Sequence, residues 1–157
     1  MKLASENQQT WKIRLPKLSF LSFGIILLLV ISCKKNDNNS CSTDMNSIAG
    51  SYKITGYFYR ASPSSQETDY TNIILPDACE RDNLLVFNSN GSYQLVDAGV
   101  VCSPSSNDNG TWSLTGSTIY IDTEASTVES FDCKTLVVST TDVNQTGDRV
   151  RIVLTKQ

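Results

Sequence analysis

The sequence contains no histidine. That absence removes Ser-His-Asp and Cys-His nucleophilic catalysis, imidazole metal ligation and the usual proton shuttle near neutral pH. Enzymatic chemistry would have to rest on carboxylates, tyrosine or lysine. The five cysteines, at 33, 41, 79, 102 and 133, include no CxxC pair. Zinc-ribbon and thioredoxin-like uses therefore have no support. Basic clusters are missing as well. From Cys33 onward, nine Lys and Arg face fifteen Asp and Glu, a net charge of −6. Phosphate contacts need clustered Lys and Arg, so nucleic acid is excluded as a partner. Asp108-Asn109-Gly110 lacks the alternating Asp/Asn ligands of a calcium loop and reads as a turn. The expectation is no metal, no cofactor and no enzyme.

The apolar run from Phe20 to Ile31, broken only by Ser22 and Gly24, is short. As a helix it would span roughly 18 Å, well under a ~30 Å hydrocarbon core. Behind a basic segment with Lys12, Arg14 and Lys17, it reads as a secretory signal. The basic segment is long, which places the true start codon in question. The run ends in Val30-Ile31-Ser32-Cys33, which resembles the lipobox of signal peptidase II substrates. Residues 1–32 are expected to be removed and Cys33 to become the acylated first residue. The alternative is an ordinary signal peptide with a chance cysteine. One acyl chain anchors only marginally, whereas mature bacterial lipoproteins carry two or three chains of the palmitate class. Residues 33–47, polar and rich in Asn and Ser, read as a flexible tether. Lys34 and Lys35 fit lipid headgroups, export or plain solvation.

Residues 48–157 form one domain, large enough for its own core. Its signal is period two, with turn residues between short runs. Tyr52, Ile54 and Phe58 alternate with smaller or polar residues. Leu84–Phe87 and Tyr93–Val96 flank Asn88-Ser89-Asn90-Gly91, a three-residue hairpin loop closed by a glycine of positive φ. In that register Phe87 faces Tyr93 and Leu85 faces Leu95. Gly116-Ser117 makes a second hairpin, with Trp112 opposite Ile121 and Leu114 opposite Ile119. Thr135–Thr141 and Arg149–Thr155 make a third, while Val128–Phe131 and Tyr70–Leu75 bring the count to eight or nine strands. Neighbouring hairpins favour a meander closed into an up-and-down barrel, with a β-sandwich as the other architecture. A short echo, Gly50-Ser51-Tyr52-Lys53-Ile54-Thr55-Gly56 against Gly110-Thr111-Trp112-Ser113-Leu114-Thr115-Gly116, marks either two equivalent strand starts or chance.

The motifs match a family. Gly50-x-Tyr52 is similar to the Gly-x-Trp that opens lipocalins, with tyrosine for tryptophan. Cys79-x-x-Asp82-Asn83, Leu85-x-Phe87, Gly91-x-Tyr93, Cys102 and Gly110-Thr111-Trp112 together resemble the lipocalin-like lipoproteins of Bacteroidetes-type bacteria. The resemblance covers Ile48 to Lys156. It implies a small lipocalin-like barrel and brings no catalytic residues with it.

Four cysteines remain once Cys33 is acylated, an even number consistent with two disulfides in an exported chain. They allow three connectivities. The Asn88–Gly91 hairpin register sets Cys79 one residue from direct opposition to Cys102, which favours that pair and leaves Cys41 to Cys133. A bridge closing about 24 residues contributes ~3 kcal/mol on the chain-entropy model. Glu80, Arg81 and Asp82 offer a carboxylate pair for hydrolysis, or a turn in which Asp82 accepts backbone N–H groups; the turn is favoured. Tyr52, Phe58, Phe87, Tyr93 and Trp112 could line a pocket for an apolar or glycan ligand, although a filled or shallow interior suits so short a domain.

The sequence thus predicts a lipid-anchored, lipocalin-like barrel of the bacterial envelope, at the outer membrane. Its expected role is a binding module for a small hydrophobic or glycan-type ligand. The alternative is a structural or protein-interaction component of the envelope.

Overall fold

The computed structural model describes residues 41–157. The expected signal segment and the acylated Cys33 lie outside the described residues. Nine strands follow in chain order: β1 (Gly50–Arg60), β2 (Thr68–Asp69), β3 (Leu84–Phe87), β4 (Ser92–Val96), β5 (Asp108–Thr115), β6 (Thr118–Ile121), β7 (Glu124–Phe131), β8 (Thr135–Thr141) and β9 (Arg149–Lys156). Every pairing is antiparallel between neighbours, and β1 pairs with both β3 and β9. The eight strands other than β2 therefore close on themselves, which rules out the sandwich. Closure removes the exposed edges of an open sheet.

The hairpin registers are those the turn residues dictate. Phe87 pairs with Tyr93 and Leu85 with Leu95. Gly91 adopts φ +87°, and its N–H donates to Asn88 O at 3.0 Å, closing the loop. Trp112 pairs with Ile121 and Leu114 with Ile119 around Gly116-Ser117. Thr135 to Thr141 pair with Thr155 to Arg149 without a shift.

Two bulges alter the alternation. In β1 the register shifts between Ile54 and Gly56, so Tyr57 and Tyr59 pair with Ile152 and Val150. An extra residue flips side-chain parity. Phe58, expected on the inner face with Tyr52 and Ile54, is therefore turned outward. It sits opposite Arg151, whose guanidinium lies 4.4 Å from the ring centroid. The second bulge, between Val128 and Ser130, puts Glu129 outside, where it forms an ion pair with Arg149. Arg151 pairs likewise with Glu67.

One end of the barrel is sealed. Its core holds Tyr52, Phe87 and Trp112 in contact, with ring centroids 5.9 Å apart for the first pair and 4.9 Å for the second. Below them lies a single helical turn, α1 (Met45–Ile48), whose N-cap Asp44 accepts from Ser47 N. Ile48 is fully buried, and its carbonyl accepts from Tyr52 Oη at 2.6 Å. Lys156 Nζ donates to Ser47 O at 3.0 Å. Cys41 is bonded to Cys133 in the β7–β8 turn. Residues 41–47, expected to be flexible tether, are thus folded against the barrel base. The cysteine, the Asp44 cap and Ile48 supply the order.

Two local expectations are corrected. Tyr70–Leu75 is not a strand: Thr71–Ile74 forms a helical turn, α2, because Asp69 Oδ1 caps Thr71 N at 2.8 Å and Tyr70 O accepts from Ile73 and Ile74 N. Asp108-Asn109-Gly110 is not a turn but the start of β5, since Leu95, Gln94 and Tyr93 provide pairing partners. Gly110 is required there. A Cβ at that position would lie 2.7 Å from the Tyr93 ring and 2.3 Å from Asp122 Oδ1. The repeated G-x-aromatic segments do occupy comparable positions: Tyr52 and Trp112 both point into the core, 0% and 2% exposed.

Candidate functional site

The other end is open. Three long connections rise from it, 61–83, 97–107 and 142–148, beside the tight turn at residues 122–123. The first contains β2, α2 and a further helical turn, α3 (Ala78–Arg81). The second is fastened to α3 by the Cys79–Cys102 disulfide and by Val100 N donating to Asp82 Oδ2 at 2.8 Å. The sequence reading expects Asp82 to accept from nearby backbone N–H groups of its own turn; its partner is instead an N–H of a loop distant in sequence. The third connection reaches the first through Gln145 Nε2, which donates to Ala61 O at 2.7 Å.

Aspartates organise these connections. Asp97 accepts from Cys102 N and Ser106 N, and the Ser106 bond above all holds its pKa below the usual carboxylate value. Asp148 is fully buried and accepts from Val143, Asn144 and Gln145 N and from Tyr59 Oη. Burial pushes its pKa up, but these bonds outweigh it and the net shift is downward.

Beneath the first two connections lies a pocket of about 220 Å³. Its walls are Ile54, Leu75, Leu85 and Leu95, with Glu80, Asn83 and Ser106 as the polar groups. Ile54 and Leu85 also wall an inner cavity of about 90 Å³, which reaches Phe87, Ile119 and Leu154. The two spaces share those side chains as a partition. Two other grooves, one lined by Thr and Ser of β7 and β8 and one beside β4 and β5, lie open on the barrel wall.

Of the polar groups, Glu80 is half-buried and accepts from Asp77 N at 3.3 Å in a capping box. Arg81 is committed elsewhere: its Nε and Nη2 donate to Leu75 O and Pro76 O, each at 2.8 Å. Asn83 Oδ1 accepts from Ala98 N at 3.3 Å, so its amide N–H₂ is the part left for an occupant. The arrangement offers apolar walls, two neutral polar groups and one carboxylate.

The aromatics expected to line a pocket do something else. Tyr52, Phe87, Tyr93 and Trp112 are core residues at 7% exposure or less, and Phe58 is on the outer face. Trp112 Nε1 donates to Asn88 O at 2.8 Å, and Tyr93 Oη donates to Asp122 Oδ2 at 2.9 Å. Among them, Phe87 alone touches the inner cavity. Leu85 and Leu95 were legible as a facing apolar pair. Leu75 and Ser106 come from irregular connections and carried no sequence signal.

The rim of this end carries exposed aliphatic side chains among its polar ones. The exposed large aliphatics of the described residues are Ile73 and Ile74 of α2, Val100 and Val101 of the 97–107 connection, and Val143 of the 142–148 connection.

A model of the lipocalin-like domain family matches residues 48–149, from the start of the barrel to the first residue of β9. Neither a curated protein nor a solved structure matches the chain.

Proposed function

The chain belongs to the lipocalin-like domain family, and from that premise we propose that it binds a small, largely apolar ligand in the open-end pocket. The family is generally a binding fold without enzymatic activity. The observation that carries the reading is the pocket itself: four aliphatic walls beneath two loops that a disulfide holds together. Its size decides the ligand class. At about 220 Å³ it falls below the roughly 300–1,000 Å³ that encloses a drug-sized ligand. A glycan is disfavoured, because the aromatic faces that would stack on sugar rings are packed in the core. The binding module is further read as a lipoprotein of the Bacteroidetes type. It is anchored through acylated Cys33 at the outer membrane of a bacterial envelope. The lipobox-like Val30-Ile31-Ser32-Cys33 supports this.

Calorimetric titration of the purified protein with octan-1-ol tests the pocket. Binding is expected, and Leu95→Trp, which fills the space, is expected to weaken it at least tenfold. Equal affinity in the two proteins counts against this location. The exposed aliphatics of the rim favour a second role in the same envelope setting, contact with a partner protein.

A further inference from the structure

We propose that this pocket discriminates by head-group charge, accepting a short single-chain amphiphile with a cationic or neutral head and rejecting a carboxylate. The inference rests on the ligand-binding reading above. Of the aliphatic walls, Ile54 and Leu85 also border the inner cavity, which orients an alkyl tail toward that side. The head then lies at the mouth, where the polar lining consists of Glu80, Asn83 and Ser106.

No cation belongs to that lining. The adjacent guanidinium, Arg81, is exposed and outside the lining, and its Nε and one Nη2 hydrogen are turned to Leu75 O and Pro76 O. The neighbouring carboxylates add to the negative field. Asp77 caps α3, and Asp82 carries a buried Oδ1 without a partner among the described residues. A carboxylate head would leave water to face Glu80 with no cation in the lining to pair it, and burying an unpaired charge is costly. An ammonium head would pair with Glu80, and a hydroxyl could use Asn83 and Ser106. Shape alone would not separate these ligands, since a barrel holding an alkyl chain is indifferent to its terminus.

The test is calorimetry with octylammonium, octan-1-ol and octanoate, each below its aggregation concentration, on the full-length mature protein. Octylammonium is expected to bind at least tenfold more tightly than octanoate, with the alcohol between. Glu80→Gln removes the charge but keeps a capping side chain at the same helix position. It is expected to bring the ammonium-to-octanoate ratio close to one. Glu124→Gln removes the same charge from an exposed position outside the pocket lining, and is expected to leave the ratio unchanged. Octanoate binding as tightly as octylammonium overturns the charge rule while leaving the pocket reading intact. So does a ratio that survives Glu80→Gln, or one that falls equally in Glu124→Gln. Absence of binding by all three ligands overturns the pocket reading, and the charge rule with it.

Discussion

Asp148 holds the 142–148 connection from within. It has no exposed surface, and three backbone N–H groups and a tyrosine hydroxyl converge on it. Its folded pKa is lowered, as are those of Asp97 and Asp122. A carboxylate of lowered pKa stabilises the fold fully at neutral pH, and that contribution is lost as pH falls through the folded value. Stability is therefore expected to be flat near pH 7 and to decline below about pH 5. Asp148→Asn should lower the urea midpoint at pH 7 and flatten the acid limb, measured from pH 7 to pH 3. Gly91 poses a backbone question instead. Its φ of +87° suits glycine, and an alanine Cβ would lie 3.2 Å from Trp112 O. Gly91→Ala is expected to cost about 1 kcal/mol, read from the same midpoint. This glycine was legible because the Asn-rich turn and the flanking apolar pairs agree. The role of Asp148 was not, because its donors are backbone groups that no side-chain pattern reveals.

At the scale of elements, the period-two signal located the strands of the three hairpins and their registers. It failed where an extra residue entered. Nothing in Ile54-Thr55-Gly56-Tyr57-Phe58 announces a bulge, so strict alternation sent Phe58 inward when the structure sends it out. It failed again at α2, where Ile73 and Ile74 look like a strand but sit on an exposed helical turn. The disulfides offer a graded test. Cys79–Cys102 spans 23 positions and Cys41–Cys133 spans 92. On the chain-entropy model the longer loop contributes about 1 kcal/mol more. Replacing both cysteines of a pair with serine should therefore lower stability more for 41–133. Removing 79–102 should instead show itself at the pocket, as weaker octan-1-ol binding, because that bond joins the two connections that roof it.

For the molecule as a whole, composition set the class and the patterning set the barrel. The open-end pocket emerged only from tertiary placement. Its walls come from β1, β3, β4 and two irregular segments, a combination with no linear signature. The most conspicuous aromatics were taken for the site because large side chains dominate any reading of a short barrel. The structure uses four of them to fill the core and turns Phe58 outward, and so leaves an aliphatic pocket at the other end. Cellular placement is tested by Cys33→Ala. The variant is expected to leave the membrane fraction and appear in the soluble one; unchanged sedimentation with membranes would refute acylation at that residue.

The pairing of β1 with β9 runs from Tyr52–Lys156 to Arg60–Arg149, so the earliest strand finds its longest partner in the latest. A nascent chain cannot complete the ring until β9 has been synthesised. Contacts of such wide sequence separation form slowly. The barrel accordingly stays unfinished until β9 has left the ribosome, and the closing β1–β9 seam is the last of its pairings to form.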